Sequence, residues 1–492
     1  MNGFTHSSQS KKPHFVLVPL MAQGHTIPMI DLAHLLASHG ALVTFVTTPL
    51  NALRIESVIQ HAKESQLPIK FLPLPFNYAE AGLPEGSENL DTLHHGLQEF
   101  AAFMEICFSN KDPLISNLRE HEIPPSCVIS DLTQPWTGEV AREFGIPRLG
   151  FLGFSAFATL CRDISILHKI YDNITDENEP VPIPGFPHPL EIPKTKSFLS
   201  FYAPGFEKIR EKIAEENSKS EGIIVNTFLE MESLYIDSYE KLTGKKAWAV
   251  GPTCLYIRDL KQMNSRGNKA SIDEERCLKW LDSMEKGSVL FVNFGSLANI
   301  VPLQVMEIGL GLETSRKPFI WVLKAGDKMA EIEQWLIEEK FEDRVKDRGL
   351  IIKGWAPQFM ILSHKAVGGF LTHCGWNSII ESICNGVPML TWPQFGDQFQ
   401  NEILVADVLK VGIKIGVERS VVWGSEKSDE VMVKRDHMER KVLELIDEGK
   451  EGMERRIRAR ELGDKAKKAM EEGGSSYKNI ELLIQVVQEK AQ

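Results

Sequence analysis

Short, continuously apolar segments alternate with amphipathic segments along most of the chain. Near the start, "HFVLVPLMAQGH" is typical of a buried strand, "IPMIDLAHLLASHG" has the apolar spacing of a helix that ends at Gly40, and "ALVTFVTT" is again strand-like. The alternation continues through "IKFLPLPF", "CVISD" and "PRLGFLG". Strands separated by helices pair in parallel, because each crossover returns the chain to the same edge of the sheet. The sequence therefore predicts an α/β fold with helices on both faces of a parallel sheet.

The alternation stops at a polar segment and then starts again. The segment from about Thr253 to Ser271, including "LKQMNSRGNKAS", has the composition of a linker. After it, "SVLFVNFGS", "FIWVLK", "GLIIKGW", "VGGFLTH" and "VPMLTWP" have the character of buried strands. A chain of 492 residues also exceeds the size at which one hydrophobic core keeps growing. We therefore predict two domains, 1–252 and 273–465, joined by a linker at 253–272, with ligands bound beyond the carboxyl ends of the strands.

Charge and cysteine usage restrict the class of protein. The net charge of −12 disfavours a nucleic-acid partner, because binding to a phosphate backbone needs a clustered cationic surface. Seven cysteines occur without any CxxC pair, which favours a reducing compartment, and we predict the cytoplasm. The apolar run near the N-terminus is too short to cross a bilayer and no cleavage site typical of a signal peptide follows it, so no stable membrane anchor is expected.

Two titratable residues of the first half follow strand-like segments. His25 comes directly after "HFVLVPLMAQG", and Asp131 ends "CVISD". Strand ends of one sheet would bring them together, and the carboxylate would then orient an imidazole that accepts a proton near neutral pH. Taken alone, His25 is equally consistent with a surface or helix-end residue, and Asp131 with a helix cap. No GxSxG nucleophile accompanies the pair, so we expect the proton to come from a bound substrate.

In the second half, "GGFLTHCGWNS" places a strand end next to a helix start. The N–H groups at a helix start favour anions, and Gly375 would let a phosphate approach closely. Further hydrogen bonds to it would come from His373, Asn377 and Ser378. The spacing of Ser378 and Glu381 also fits a capping box, in which the two side chains satisfy backbone N–H groups. For Glu381 two roles are open at this point, a helix cap or a partner of ribose hydroxyls.

Metal and cysteine chemistry are disfavoured by the same segment. The chain has no HExxH, paired-cysteine or DxD pattern, so no metal is expected. His373 and Cys374 alternate across a strand end, which makes joint chelation difficult, and Cys374 is expected to be a small buried hydrophobe. The GxGxxG fingerprint and the P-loop are also missing from the sequence, which disfavours NAD and ATP bound by those routes.

Other strand ends of the second half carry further candidates. Ser296 ends "VNFGS" and offers a hydroxyl donor. Trp355, at the end of "GLIIKGW", suits stacking on a planar base, with Ala356 offering backbone groups to the base edge; a core or surface aromatic is the alternative. Asp397 and Gln398 would hydrogen-bond sugar hydroxyls, unless they belong simply to a polar loop.

The block "WAPQFMILSHKAVGGFLTHCGWNSIIESICNGVPMLTWPQFGDQ" resembles the signature box of plant secondary-product UDP-glycosyltransferases, glycosyltransferase family 1. "MAQGHTIPMIDLAHLLASHG", "VTTPLNALR", "GLPEGSENLDTL" and "EGGSSYKNI" are similar to other parts of that family, so the resemblance extends over nearly the whole chain. It is nearest to the lineage that acts on triterpenoid, steroid, flavonoid and cytokinin-like acceptors. The resemblance implies a GT-B architecture of two facing Rossmann-like domains, with a C-terminal helix at about 466–492 packed back on the first.

Matched residue by residue, the resemblance implies a UDP-sugar donor site in the second half. Trp355 is expected to stack on uracil with Ala356 at its edge, and Gln358 and Glu381 are expected to meet the ribose. The remaining expected donor residues hold the diphosphate (Ser296, His373, Asn377 and Ser378), read the sugar (Trp376, Asp397 and Gln398) or line the site (Gly24 and Gly375). In this family, glutamine at the last position of the box goes with glucose more often than with galactose, so UDP-glucose is the expected donor.

The resemblance also implies a mechanism. His25, oriented by Asp131, would deprotonate an acceptor hydroxyl that attacks the anomeric carbon, so that an inverted β-glucoside forms and UDP leaves without a metal or other cofactor. A non-catalytic sugar-nucleotide-binding protein would keep the box and lose one of these two residues, and both are present. An oxidoreductase dependent on a nicotinamide cofactor is the alternative from the fold alone.

The acceptor expected from the resemblance is a small lipophilic plant metabolite that carries a hydroxyl group, and the protein is expected to be a monomer. The acceptor pocket is expected near "FLGFSAFATLC", although core packing explains these aromatic residues equally well. Its expected lining residues are Phe151, Phe154 and Gly396, with Phe157 nearby.

Overall fold

A computed structural model describes residues 12–93, 97–198, 207–256, 266–298, 300–324, 329–420 and 431–490. Its strands are numbered here in chain order and form two large parallel sheets and one antiparallel pair, β6 (Pro180–Pro182) with β7 (Glu191–Pro193). The predicted linker at 253–272 and the two chain ends lie partly outside the described residues. Within the described ranges, no helix combines the length and the apolar character needed to traverse a bilayer.

The first half of the chain forms a seven-stranded sheet in the order β3-β2-β1-β4-β5-β8-β9. Its strands are β1 His14–Val18, β2 Leu42–Thr47, β3 Ile69–Pro73, β4 Cys127–Asp131, β5 Arg148–Leu152, β8 Gly222–Val225 and β9 Lys246–Ala249. Its helices are Gln23–Ser38, Pro49–Arg54, Glu56–Glu64, Leu97–Ser109, Lys111–Arg119, Thr137–Phe144, Ala156–Leu167, Glu207–Ser218 and Leu229–Thr243, with 3₁₀ turns at Leu90–Thr92, Lys194–Lys196 and Thr253–Leu255. Every residue of β1 and β4 is buried, because helices cover both faces of the sheet.

The second half forms a six-stranded sheet in the order β12-β11-β10-β13-β14-β15. Its strands are β10 Val289–Asn293, β11 Phe319–Leu323, β12 Gly349–Lys353, β13 Val367–Thr372, β14 Met389–Thr391 and β15 Gly412–Lys414. Its helices are Glu274–Asp282, Pro302–Thr314, Met329–Glu338, Phe341–Val345, Gln358–Ser363, Trp376–Cys384, Gln398–Ile403, Arg435–Leu445 and Lys450–Met470, with a π-helical turn at Leu404–Val408. All pairings in this sheet are parallel, so the predicted α/β class is confirmed for both halves.

The last helix, Ser475–Lys490, returns to the first sheet. Ile480, Leu483 and Val487 belong to the same hydrophobic cluster as Phe15 of β1 and Trp248 of β9. The start of the helix is fixed by polar contacts as well, because the Ser476 hydroxyl donates to the carbonyl of Gly251 and Asn479 Nδ2 donates to the carbonyl of Ala249 at 2.9 Å. The C-terminal segment therefore contributes to the core of the first half rather than the second.

Local details differ from the sequence prediction where a polar residue interrupts a helical pattern. The sequence at about 92–119 has a pattern typical of one helical stretch, whereas the structure forms two helices there, Leu97–Ser109 and Lys111–Arg119, separated at Asn110. Pro113 lies in the first turn of the second helix, where its missing N–H costs nothing, so the break precedes it. Asn385-Gly386 after "SIIESIC" is typical of a helix C-terminus, and this prediction is confirmed, since the helix Trp376–Cys384 ends there and Gly386 has a φ of +64°.

We predict that replacing Leu483 by alanine destabilises the first half by about 2–5 kcal/mol, because the cavity left in its core is only partly refilled. The measurement is urea unfolding followed by tryptophan fluorescence and circular dichroism. Leu482→Ala is the matched control, since Leu482 is 45% exposed whereas Leu483 is 1% exposed. Equal losses of stability in the two variants would contradict the packing of this helix on the first sheet.

Candidate active site

A cavity of about 1660 Å³ lies between the two halves of the chain. It is lined from the first half by residues that follow β1 and β5, and from the second half by residues that follow β10, β12 and β13. All these strands are parallel to their neighbours, so their carboxyl ends share one edge in each sheet, where loops are free to form ligand sites. Every residue predicted for the donor site lines this cavity.

Hydrogen bonds connect the two halves around the cavity. The residues involved are in loops or helix starts next to the strand ends, and each bond joins one half to the other. They are Asn377 Nδ2 to the Gly24 carbonyl (2.5 Å), Ser155 Oγ to Asn401 Oδ1 (2.8 Å) and Trp376 Nε1 to the Asn226 carbonyl (2.9 Å). The cavity is therefore enclosed by directional contacts as well as by apolar packing.

His25 and Asp131 are in direct contact, as the sequence predicted. The β1 and β4 strands are neighbours, with Val18 opposite Ser130, so the residues that follow them lie side by side. His25 Nδ1 is 2.5 Å from Asp131 Oδ2. The other carboxylate oxygen accepts from the backbone N–H of Thr133 at 2.9 Å and from its hydroxyl at 2.7 Å. The carboxylate is thus held on both sides, and the second ring nitrogen of His25 remains for a ligand in the cavity.

The electrostatics of this pair favour an ionised carboxylate and a basic imidazole. Burial lowers the pKa of His25, but the charge and hydrogen bond of Asp131 outweigh it, and the net pKa is raised above its ordinary value. Burial raises the pKa of Asp131, but His25 and the two bonds from Thr133 outweigh it, and the net pKa is lowered. The imidazole can therefore accept a proton and have the resulting charge stabilised by its neighbour.

The helix Trp376–Cys384 presents its N-terminus to the cavity. Its N-cap is Gly375, which has no side chain to satisfy the first-turn N–H groups. Ser378 lies inside the helix rather than at its start, so the capping box considered for Ser378 and Glu381 does not form. The reason is that the helix begins at Trp376, three residues earlier than a cap at Ser378 would require. The first-turn N–H groups and the positive end of the helix dipole are consequently available to an anion.

His373 lies just before this helix and is packed between two glycines. A Cβ on Gly295, whose φ is +75°, would be 2.5 Å from the ring, and a Cβ on Gly375 would be 2.3 Å from Nε2. Burial lowers the pKa of His373 to about 4, so the ring is neutral near pH 7. Its Nδ1 is buried with no hydrogen-bond partner among the described residues. A neutral ring of this kind donates one hydrogen bond to a ligand and supplies no charge.

The residues expected around a nucleoside form one polar network. Gln358 Nε2 donates to Glu381 Oε2 at 2.9 Å and to the Ser378 hydroxyl at 3.2 Å. Asn293, at the end of β10, donates from Nδ2 to Gln358 Oε1 at 2.8 Å and so fixes the orientation of that amide. Trp355 and Ala356 follow β12 and line the same part of the cavity. Ser296 follows β10 and lines the cavity on the side of His373.

The residues expected around the sugar are largely buried and already hydrogen-bonded. Trp376 uses its indole N–H for Asn226, so only its backbone N–H and its ring are left for a ligand. Asp397 Oδ2 accepts from Asn401 Nδ2 at 2.6 Å, and burial raises the pKa of Asp397 to about 7. Gln398 Oε1 accepts from two backbone N–H groups of the preceding loop, at 2.8 and 3.1 Å, which leaves its amide N–H groups as donors.

The acceptor prediction needs a correction. Phe154 and Gly396 line the cavity, and the Phe154 ring meets His25 edge-on with 6.0 Å between ring centroids. Phe151 is 1% exposed and packs in the core of the first half, and Phe157 is fully buried against Phe186 and Tyr235. Phe151 points away because it lies within β5, where neighbouring side chains alternate between faces, whereas Phe154 follows the strand. Phe151 is therefore a core residue and, unlike Phe154, does not line the cavity.

Several residues at this site were missed by sequence reasoning. Thr133 holds Asp131, and its position two residues later is the spacing of an Asx turn, a signal that was available. Asn401 holds Asp397 from one helical turn away, which the i, i+4 spacing could have suggested. Arg266 contacts Glu381 from inside the polar linker, where no periodicity or motif marks it.

Comparison with known proteins identifies the class and then the family. Residues 13–254 match the family model described as "Glycosyltransferase, N-terminal domain", and residues 255–418 match "UDP-glucoronosyl and UDP-glucosyl transferase". UDP-glycosyltransferase 73C5 of Arabidopsis thaliana is 45% identical over 491 residues, covering 99% of both chains. UDP-glycosyltransferase 73C11 of Barbarea vulgaris is 45% identical, covering 97% of both. These matches define a glycosyltransferase enzyme that uses a UDP-sugar donor.

Solved structures agree with this classification. Glycyrrhiza uralensis UGT73P12, complexed with glycyrrhetinic acid 3-O-monoglucuronide, superposes with a TM-score of 0.89 at 34% identity, covering 98% of this chain and 96% of that one. Medicago truncatula UGT71G1, complexed with UDP-glucose, superposes with a TM-score of 0.77 at 26% identity, covering 98% and 100%. The predicted GT-B fold of two parallel-sheet domains is confirmed. The chain belongs to the plant family 1 UDP-glycosyltransferases.

We predict that Asp131→Asn lowers the pKa of His25 below its ordinary value of 6.5. The substitution removes the charge that raises this pKa, while the burial that lowers it remains, so the two effects no longer oppose each other. The measurement is an NMR titration of the imidazole, assigned by difference from a His25→Gln variant.

Asp407→Asn is the control for this titration, because Asp407 pairs with Lys414 on the surface of the second half. It should leave the pKa of His25 unchanged. A pKa of His25 that is equal in wild type and Asp131→Asn would contradict the electrostatic coupling of the pair.

Proposed function

We propose that this enzyme is an inverting UDP-glucose-dependent O-glucosyltransferase that adds β-glucose to a hydroxyl group of a lipophilic plant metabolite, a triterpenoid or steroid sapogenin or a phenolic such as a flavonoid. The observation that carries the proposal is the His25–Asp131 contact at the cavity wall, opposite a helix N-terminus without a side-chain cap. One side of the cavity offers a base, and the other offers donors for a diphosphate.

In the proposed reaction, the acceptor hydroxyl lies against the free ring nitrogen of His25. The imidazole takes the hydroxyl proton while the oxygen attacks the anomeric carbon from the side opposite UDP, so the configuration inverts. Asp131 stabilises the imidazolium that forms, and it keeps Nδ1 as the donor nitrogen. General-base help of this kind is worth about 10²- to 10⁴-fold in rate.

The departing UDP carries the developing negative charge. We assign its diphosphate to the first-turn N–H groups of Trp376–Cys384, with hydrogen bonds from the neutral ring of His373 and from Ser296, Asn377 and Ser378. Trp355 would stack on uracil, and Glu381 and Gln358 would hold the ribose. The expectation that no metal takes part stays a prediction.

The choice of glucose rests on Gln398 and on the family pattern at that position. The amide N–H groups of Gln398 are its remaining donors, and Asp397 beside it supplies acceptors, which suits a sugar with several hydroxyls. UGT71G1 was solved with UDP-glucose, but Arabidopsis thaliana UGT89C1 was solved with UDP-L-rhamnose, so relatives differ in donor. The donor seen in one relative therefore does not determine the donor of this enzyme.

The acceptor class rests on the apolar part of the cavity wall. Phe154 lies beside His25, and Leu93, Phe100 and Met104 of the first half also line the cavity. These side chains favour contact with a large apolar ring system over a charged metabolite. The complex of UGT73P12 with a triterpenoid glucuronide supports a ligand of that size in a closely similar fold.

We predict that His25→Ala lowers the rate of transfer to an alcohol acceptor by at least about 100-fold, since the base is lost. Binding of UDP, measured by calorimetry, should change little because His25 lies on the acceptor side. The measurement is the initial rate of hexoside formation by mass spectrometry at saturating donor. Full transfer by His25→Ala would remove His25 from the mechanism.

We predict that UDP-glucose is used at a higher kcat/KM than UDP-galactose or UDP-glucuronic acid. Each UDP-sugar is incubated with a panel of triterpenoids, steroids, flavonoids and phenols, and products are identified by mass gain and by NMR of the anomeric proton. A β-linked product supports inversion. Transfer from another UDP-sugar but not from UDP-glucose would overturn the donor assignment, and binding of UDP-sugars with no transfer to any acceptor would favour a non-catalytic sugar-nucleotide-binding protein.

A further inference from the structure

A short segment of the predicted linker, residues 266–271, forms part of the cavity wall. It passes between the helix Gln23–Ser38 of the first half and the loop after β12 of the second. Its first residue, Arg266, is 4% exposed, which is unusual for an arginine and requires partners that offset its charge.

Arg266 makes ion pairs with both halves of the protein. Its Nη1 donates to Asp31 Oδ2 at 2.5 Å, on the helix that follows β1. Its Nη2 donates to Glu381 Oε1 at 2.9 Å, on the helix Trp376–Cys384, whose N-terminus faces the cavity. The guanidinium also lies 5.9 Å from the ring centroid of Phe359. The side chain is therefore fixed in place by contacts on three elements.

Glu381 is oriented from both sides by this arrangement. Oε1 accepts from Arg266 and Oε2 accepts from Gln358 at 2.9 Å. Each carboxylate oxygen has two lone pairs, so each keeps one acceptor site after these bonds are made. Those remaining sites suit two neighbouring hydroxyls, such as those of a ribose.

The rest of the segment holds Trp355. The backbone N–H of Trp355 donates to the Ser271 hydroxyl at 2.9 Å, and the backbone N–H of Ser271 donates to the Trp355 carbonyl at 2.8 Å. A Cβ on Gly267 would be 2.7 Å from Cζ2 of the indole, so the backbone there packs closely on the ring. Asn268 Oδ1 accepts from Gln23 Nε2 at 3.2 Å, which ties the segment to the first half again.

We propose that Arg266 is a positioning residue for the nucleoside diphosphate, which aligns the Glu381 carboxylate with the ribose and ties the donor site to the first domain through Asp31. The inference rests on the proposed ribose contact of Glu381. Arg266 acts through Glu381 and does not itself touch the reacting atoms. The planar fork of the guanidinium matters because it presents two separate nitrogens, Nη1 to Asp31 and Nη2 to Glu381, a fixed geometry that the single nitrogen of a lysine does not reproduce.

The test is the affinity for UDP itself, measured by calorimetry without an acceptor. Arg266→Met should raise the Kd for UDP about tenfold, the change that loss of one hydrogen bond to a charged group produces. The KM for the UDP-sugar should rise in step, whereas kcat at saturating donor should change less. In a Glu381→Gln background, Arg266→Met should have little further effect on Kd, because its partner has already been altered.

Arg344→Met is the matched control. Arg344 pairs with Glu313 through Nε at 2.7 Å and Nη2 at 3.0 Å, close to the amino ends of β11 and β12 and so at the opposite edge of the sheet from the cavity. It should leave the Kd for UDP unchanged. If Arg266→Met does not fold, Arg266→Lys decides, because it keeps the buried charge but lacks the fork, and it should still bind UDP more weakly than wild type.

The outcomes separate this inference from the proposed function. An unchanged Kd in Arg266→Met, or in Arg266→Lys where the first does not fold, would overturn the inference, as would an equal rise in Kd with and without Glu381→Gln. A lower melting temperature with an unchanged Kd would show that Arg266 is structural only. A wild-type protein that does not bind UDP would instead refute the donor site on which the inference rests.

Discussion

Parallel pairing of strands is the constraint on which the rest of this structure depends. A parallel strand can follow another only through a crossover, so all the strands of a sheet end at one edge. Both sheets place that edge against the same cavity, and residues to which chemical roles are proposed lie at or after the ends of β1, β4, β10, β12 and β13. Residues hundreds of positions apart, such as Gly24 and Asn377, are consequently within hydrogen-bonding distance.

How much of this arrangement the sequence could predict depends on how far apart in the chain the interacting residues lie. The βαβ alternation is local, and it correctly predicts the fold class. It places the end of the first strand too late, because β1 ends at Val18 and the next helix already begins at Gln23, so that His25 lies in the first turn of that helix. The contact of His25 with Asp131 depends on β4 being the neighbour of β1, which segment order does not determine, and only the chemistry of the two residues made it a good hypothesis. It is harder to predict which face of the sheet a strand residue occupies, as the burial of Phe151 in the core shows. The role of Arg266 could not be predicted, because its two partners lie in different halves of the chain. Nothing in the sequence of a polar linker distinguishes a buried, ion-paired arginine from a solvent-exposed one.

The two sides of the cavity differ in how their surroundings change the pKa of a histidine. At the position proposed for the acceptor, a charged carboxylate makes an imidazole more basic, and the pKa of His25 is raised. At the position proposed for the diphosphate, burial keeps His373 neutral, and the field that favours an anion comes from a helix terminus. Two histidines separated by a single cavity thus have opposite pKa shifts because only one of them has an anionic neighbour in contact.

The hydrogen bonds between the two halves have a further consequence for how the enzyme binds and releases ligands. The bond from Trp376 to the Asn226 carbonyl and that from Ser155 to Asn401 must break if the domains move apart. Separation of the domains and occupancy of the cavity are therefore thermodynamically linked: a ligand that contacts both halves favours the closed form by the same free energy with which closure favours the ligand. Tight closure would aid exclusion of water from the transfer step, but it would also slow the departure of UDP. The strength of these few bonds would then set the balance between protection of the reaction and turnover.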